Sequence, residues 1–503
     1  MNSKAALLVT LITVGFPTYA DPLSAVDWLS DILETPQASD GINDLTGVVI
    51  EPVETTRLSD VQKDTVGLFP EQISGIPADF WGNSDPARLA SLIRNAPTGQ
   101  LPEITALWRR IILAEINPPA FGNTNDVLLL ARLDNLLTAG DLDPAEALLK
   151  AADASNPQLF RRWFDVSILT QRADNACKRM VSTPNFAPTL HARVFCLARS
   201  GDWGAASVTL STGKALGEIS PQDALLLGMF LDPEAFDSDT TPPIPSKLTP
   251  LTFVMREALA LPRPSQSLPV AFLHMDLQNK AGWKQRIISS ERLVAEQALS
   301  PIALLDLYLE GSPSASGGVW ERVSAIQNLN EALGSGSDDI LSKALTDAYN
   351  LMAPLSLQSV LAEWFAQALS DHTLSTEAKS IGFILAALNP NTLNTAQLFA
   401  STNQSEQFIV SCVTESYTVP PKDNLQVAVF NALTGLSPKT ILHQDIEDGR
   451  LGQAVLSALT ILKDGPETDI GDIEIALSVL SYGGFKEEAE RIAIQLLTYG
   501  KGA

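Results

Sequence analysis

The residues able to do chemistry are few and scattered. His191, His274, His372 and His443 are the only histidines. None stands four positions from another, the spacing that lets two imidazoles on one helix face share a zinc ion. Cys177, Cys196 and Cys412 have no zinc-knuckle spacing, and no motif gives Cys412 a base, so it reads as a buried small hydrophobe. The run His443-Gln444-Asp445-Ile446-Glu447-Asp448 is the densest group of candidate ligands and reads as a solvated acidic loop. Asp464 to Asp472 fails the ligand order of a calcium loop and reads as an interhelical turn with a cap. Ser211 and Lys214 sit one helical turn apart, as a nucleophile and its base would. The Ser-Asp-Asn and Lys-Thr-Gly elements that complete such a site are missing. Gly213-Lys214 is not a phosphate loop either, because Val208 stands where the earlier glycine belongs and Ala215 replaces the magnesium-binding hydroxyl. Neither a Gly-x-Ser-x-Gly elbow nor a dinucleotide fingerprint is present. The expectation is a non-enzyme without cofactor or metal.

These side chains must be carried by helices. From Ser84 onward almost every stretch has helical spacing; Leu128, Leu129, Leu133, Leu136 and Leu137 recur at intervals of three and four. A capping residue followed by proline at the first helical position marks starts at Asp85-Pro86, Asp143-Pro144, Asn156-Pro157, Ser220-Pro221, Thr249-Pro250 and Ser300-Pro301. Asp143-Pro144-Ala145-Glu146 adds the carboxylate of a capping box. Helices of about ten to sixteen residues, closed by Gly or Pro, suit stacked pairs better than a long four-helix bundle. The predicted fold is all-α.

One local pattern recurs. Gly140-Asp141-Leu142 is followed by Ala145, Gly201-Asp202-Trp203 by Ala206, and Gly484-Phe485 by Ala489. Glycine permits a left-handed turn, and alanine lets the two helices of a hairpin approach closely. Gly282-Trp283 begins in the same way but puts Ile287 where alanine is expected. These segments resemble the turn between the helices of a tetratricopeptide repeat. The resemblance covers a few dozen residues, and no fixed period near 34 residues joins the copies. It implies stacked helical hairpins, a tetratricopeptide-like α-solenoid or α-α superhelix.

The amino terminus has the layout of a secretory signal peptide: Lys4, an apolar run from Ala5 to Phe16, and small residues at Thr18 and Ala20. Cleavage is expected after Ala20. The apolar run is too short to cross a bilayer comfortably, and no later stretch is both long and uncharged enough, so no membrane insertion is expected after processing. The expected location is periplasmic, with full secretion the second choice. In that oxidising compartment Cys177 and Cys196, which flank the turn Ser182 to Pro188, are either bridged or two buried thiols. A bridge closing so short a loop is worth about 3 kcal/mol.

The expected organisation is a leader over 1–20 and an extended arm over 21–83. Helical blocks follow over 84–240, 241–315 and 316–503. The arm carries one strand-like run, Gly47 to Val53, which Pro52 confines to an edge. It also carries apolar anchors at Val66 to Pro70 and Ile76 to Trp81. Breaks near 240 and 315 follow from the proline-rich run Asp237 to Pro245 and the Gly/Ser-rich run Gly311 to Gly318.

Acidic residues outnumber basic ones 58 to 34, a net charge of −24. That balance excludes nucleic acid as a partner, because its affinity rests on neutralising phosphates with Lys and Arg. It favours a basic or amphipathic protein or peptide, held by a binding that weakens with salt. A non-catalytic exported scaffold or adaptor for an envelope protein is the reading favoured. One alternative is a cell-wall enzyme. Some lytic transglycosylases place a helical superhelix before a catalytic domain with a Glu-Ser signature, and Glu415-Ser416 is similar to it, but Thr418 to Lys422 lacks the Gly-rich continuation. The other alternative is a binder of a small ligand or cation between helical blocks.

Overall fold

The computed structural model describes residues 26, 28, 29 and 63–499, apart from 97–100, 121–125, 155, 238–239, 246, 265–266, 279–280 and 314–316. The expected leader, its cleavage point at Ala20 and the strand-like run at 47–53 lie outside the described residues. Among the described residues the protein is all-α. Helices follow one another from Glu71 to Tyr499, and the only β pairing is an isolated bridge between Phe69 and Ala114.

The helix starts follow the local chemistry. Asp85 accepts from Arg88 N, Asn156 from Leu159 N and Ser220 from Asp223 N, each ahead of a proline at the first turn. Thr249 and Thr252 form a reciprocal capping box. The start near Asp143 differs from expectation. That helix is Leu142–Ala151, and Asp141 occupies its cap position. Asp143 and Glu146 are not cap and box; both carboxylates reach Arg172 at 2.6 Å. Ser300 precedes Pro301 as expected but makes no side-chain cap bond.

Two hydrophobic clusters organise these helices. The smaller joins Phe160, Phe164, Cys177, Phe195, Cys196, Leu227 and Met255, and lies in a lobe spanning the helices from Pro157–Leu169 to Pro250–Ala258. The larger runs from Val26 to Leu497. It is continuous because the first and last helices meet. Helix Pro86–Arg94 packs on Val127–Ala139 on one side and on Leu451–Ile461 on the other, and Pro102–Leu113 packs on Lys486–Tyr499. Between them the chain passes through Trp283–Ala295, Pro301–Leu309, Gln358–Leu369 and Thr376–Leu388, and the last of these again touches Lys486–Tyr499. The helical array is therefore closed.

Polar bonds register this seam. Asn83 N donates to Gly449 O at 2.8 Å, and Gly452 N donates to Phe80 O at 2.8 Å. Arg491 Nε donates to Glu103 Oε1 at 2.9 Å, and Arg110 pairs with Glu488. Phe80 and Trp81, anchors of the expected arm, are fully buried in the seam. Nearby, Arg132 is fully buried and replaces missing backbone partners. It donates to the carbonyls of Ile112, Ala114 and Val66 at 2.6, 2.9 and 2.8 Å, which ties the segment around 66 to the core.

Candidate functional site

Two concavities among the described residues bear on function. The first is a groove on the outer surface of the hairpin Val319–Gly334/Asp338–Met352. Small residues at Ala325, Ala332 and Ala344 are buried at its floor, with Trp320, Ile340 and Leu351 along it. Ile340 is 57% exposed. Glu321, Glu331 and Asp347 stand on the rim with Lys343, and among the described residues none of these carboxylates makes an ion pair. The groove has a volume of about 980 Å³.

The second is an open crevice of about 550 Å³ between helices of the array. The starts of Pro102–Leu113, Pro301–Leu309 and Gln358–Leu369 line it, together with the ends of Trp283–Ala295 and Thr376–Leu388 and Gln495 of Lys486–Tyr499. None of the three helix starts has a side-chain cap. Gln495, 4% exposed, accepts from Glu103 N at 3.0 Å. Gln297 Nε2 donates to Pro102 O at 2.9 Å, and Arg109 donates to Gln297 O at 3.2 Å. Burial raises the pKa of Glu103 against the opposing pull of Arg491. Glu363 at the mouth has no ion-pair or hydrogen-bond partner among the described residues; the surrounding walls strip enough water to raise its pKa as well.

The residues singled out in the sequence are dispersed. Gly140, Gly201 and Gly484 all adopt the left-handed conformation, at φ of 82°, 86° and 91°, and Ala145, Ala206 and Ala489 are fully buried. Phe485 is buried beside Ala489, whereas Trp203 is 52% exposed. Gly282 departs from the pattern with φ −64° and serves as a cap residue. Cys177 and Cys196 form a disulfide with an S–S distance of 2.01 Å. Cys412 is buried, and its thiol is pushed up to about 12 by desolvation and then by Glu490.

The segment from His443 is not a loop. It belongs to helix Ile441–Glu447, with His443 and Asp445 buried; Thr440 N donates to His443 Nδ1, and Arg450 holds Asp445 at 2.7 Å. His274 Nε2 donates to Gly140 O at 2.7 Å, so it supports the first hairpin turn, and burial lowers its pKa. Ser211 donates its hydroxyl to Ser207 O, and Lys214 is exposed. Glu415 is exposed and paired with Lys486 at 2.6 Å, outside both concavities. Among the described residues no group of three or more His, Cys, Asp or Glu is placed to hold a metal ion, and no helix is long and apolar enough to cross a membrane.

The class the fold defines is therefore an all-α protein with a closed helical array. Comparison with known proteins found no matching family model, no similar curated protein and no similar solved structure.

Proposed function

We propose that this protein is a non-catalytic, exported helical scaffold that holds a basic amphipathic helix of a partner in the groove of the hairpin Val319–Gly334/Asp338–Met352. The observation that carries the reading is an apolar floor inside an unpaired acidic rim: Trp320, Ile340 and Leu351 can bury the partner's apolar stripe, while Glu321, Glu331 and Asp347 face its cations. The net charge of −24 acts in the same sense at longer range. The left-handed glycines and buried alanines of the hairpin turns support a stacked-hairpin, tetratricopeptide-like lineage. The secretory leader in the sequence and the Cys177–Cys196 bridge support a periplasmic setting.

The test is titration with a synthetic Leu/Lys amphipathic helix and its Leu/Glu counterpart. The Lys form binds, the Glu form does not, and affinity falls as salt rises. Changing Glu321, Glu331 and Asp347 together to Lys lowers affinity roughly tenfold, from three rim pairs at about 0.5 kcal/mol each. Equal binding of the two peptides, or an unchanged affinity in the triple variant, overturns the reading.

A further inference from the structure

The crevice between helices of the array carries a different kind of inference, independent of the groove. Its donors and acceptors are unequally used. Glu103 N–H needs an acceptor and takes Gln495 Oε1, which fixes the orientation of that amide and leaves Gln495 Nε2 without a partner among the described residues, on a side chain that is 96% buried and lines the crevice. The helix starts add further unused donors. Proline occupies the first position of two of them, and at the third the backbone N–H groups of the lining residues Ser359 and Val360 meet no acceptor among the described residues. Each start also carries the positive end of a helix dipole, worth about half a charge. Unused donors at a helix start can hold a carboxylate.

The same crevice holds one acidic group without a partner. Glu103 is held by Arg491, and Asp141 beside the lining residue Arg109 is 3.0 Å from that guanidinium, so both are neutralised locally. Glu363 is not. A lone anion alone would fail to satisfy it, and a lone cation would leave the buried amide and the helix starts without acceptors. We propose that the crevice binds a small zwitterion, an α-amino acid or short peptide, with its ammonium on Glu363 and its carboxylate on Gln495 Nε2 and the N–H groups of Ser359 and Val360. Its volume of about 550 Å³ lies in the range of small-molecule sites.

The experiment is calorimetric titration and thermal shift of the full chain with alanine, alanylalanine, N-acetyl-alanylalanine and alanylalanine amide. The unblocked compounds bind and raise Tm; blocking either terminus costs about tenfold or more in affinity, as loss of one charged hydrogen bond does. Tighter binding of alanylalanine than of alanine assigns a peptide, and the reverse assigns a free amino acid. Glu363→Gln, at an exposed and unpaired position, retains the circular-dichroism spectrum and loses the distinction between free and N-acetylated forms. Failure of all four compounds to bind at millimolar concentration overturns the proposal. So does equal affinity of blocked and unblocked forms, or an unchanged preference in Glu363→Gln.

Discussion

Gly452 lies directly against the indole of Trp81. A Cβ at position 452 would fall 2.5 Å from Trp81 Cε3 and 2.9 Å from Phe80 O. The helix Leu451–Ile461 can close onto the turn around Phe80 only with a bare α-carbon there.

That contact reverses the usual sign of a glycine-to-alanine change. Within a helix, alanine is favoured over glycine by about 1 kcal/mol. Gly452→Ala instead destabilises, by about 1–3 kcal/mol, because the seam must spread to admit the methyl group. Urea denaturation measures it; a stabilised variant would show that the first and last helices are not packed as described.

Arg162 and Asp134 form a second relationship open to measurement. Both are almost completely buried, and the guanidinium holds the carboxylate with two bonds, of 2.7 and 3.0 Å. Asp134→Asn leaves a buried charge uncompensated and costs about 3–5 kcal/mol. The double change Asp134→Leu with Arg162→Met recovers most of that loss, since it removes both desolvated charges together. A double-mutant cycle in denaturant reads the difference.

Asp141 gives a pH dependence with an unusual sign. Burial lifts its pKa from the ordinary 3.8 to about 6, against the weaker opposing pull of Arg109. Between those values the folded protein binds a proton that the unfolded chain does not. Its contribution to stability is therefore greatest below about pH 4 and declines as pH rises to about 6, by up to roughly 3 kcal/mol. Asp141→Asn flattens this part of the stability–pH curve relative to the native chain. An identical slope in the two proteins would contradict the burial of that carboxylate at the Gly140 turn.

Thiol chemistry separates the three cysteines. The native protein shows no reactive thiol at pH 8, because Cys177 and Cys196 are bridged and Cys412 is buried with its pKa pushed to about 12. Unfolding without reductant releases one, and unfolding with reductant releases three. Rapid native labelling of Cys412 would contradict its burial.

The parts of the structure legible in the sequence are those with local causes. Asp85, Asn156, Ser220 and Thr249 cap the helices they announce, because a side chain and an amide three residues away need nothing else to meet. Gly140, Gly201 and Gly484 are left-handed for an equally local reason. What stayed hidden depends on partners far away in the chain. Gly452 carries no mark that pairs it with Trp81, nor does Gln495 announce that it will cap the backbone of Glu103. Ile340, Ala344 and Leu351 have the spacing of a core stripe, and only the placement of neighbouring helices leaves them lining a groove. The acids at Asp445 and Glu447 suggested a wet loop because charge masks helical spacing; an arginine five residues beyond Asp445 is what makes burial of that carboxylate affordable.

The seam also sets the order in which the molecule can be built. Leu89, Ile93 and Leu107 lie in the same core as Leu456, Ile492 and Leu496, so the early helices, although Pro86–Arg94 already rests on Val127–Ala139, keep their other side uncovered until residues past 450 have been synthesised. An open row of repeats grows one unit at a time, each resting on its predecessor. Here one side of the beginning is completed only by the end, and folding carries the slow kinetics of contacts that span nearly the whole polypeptide.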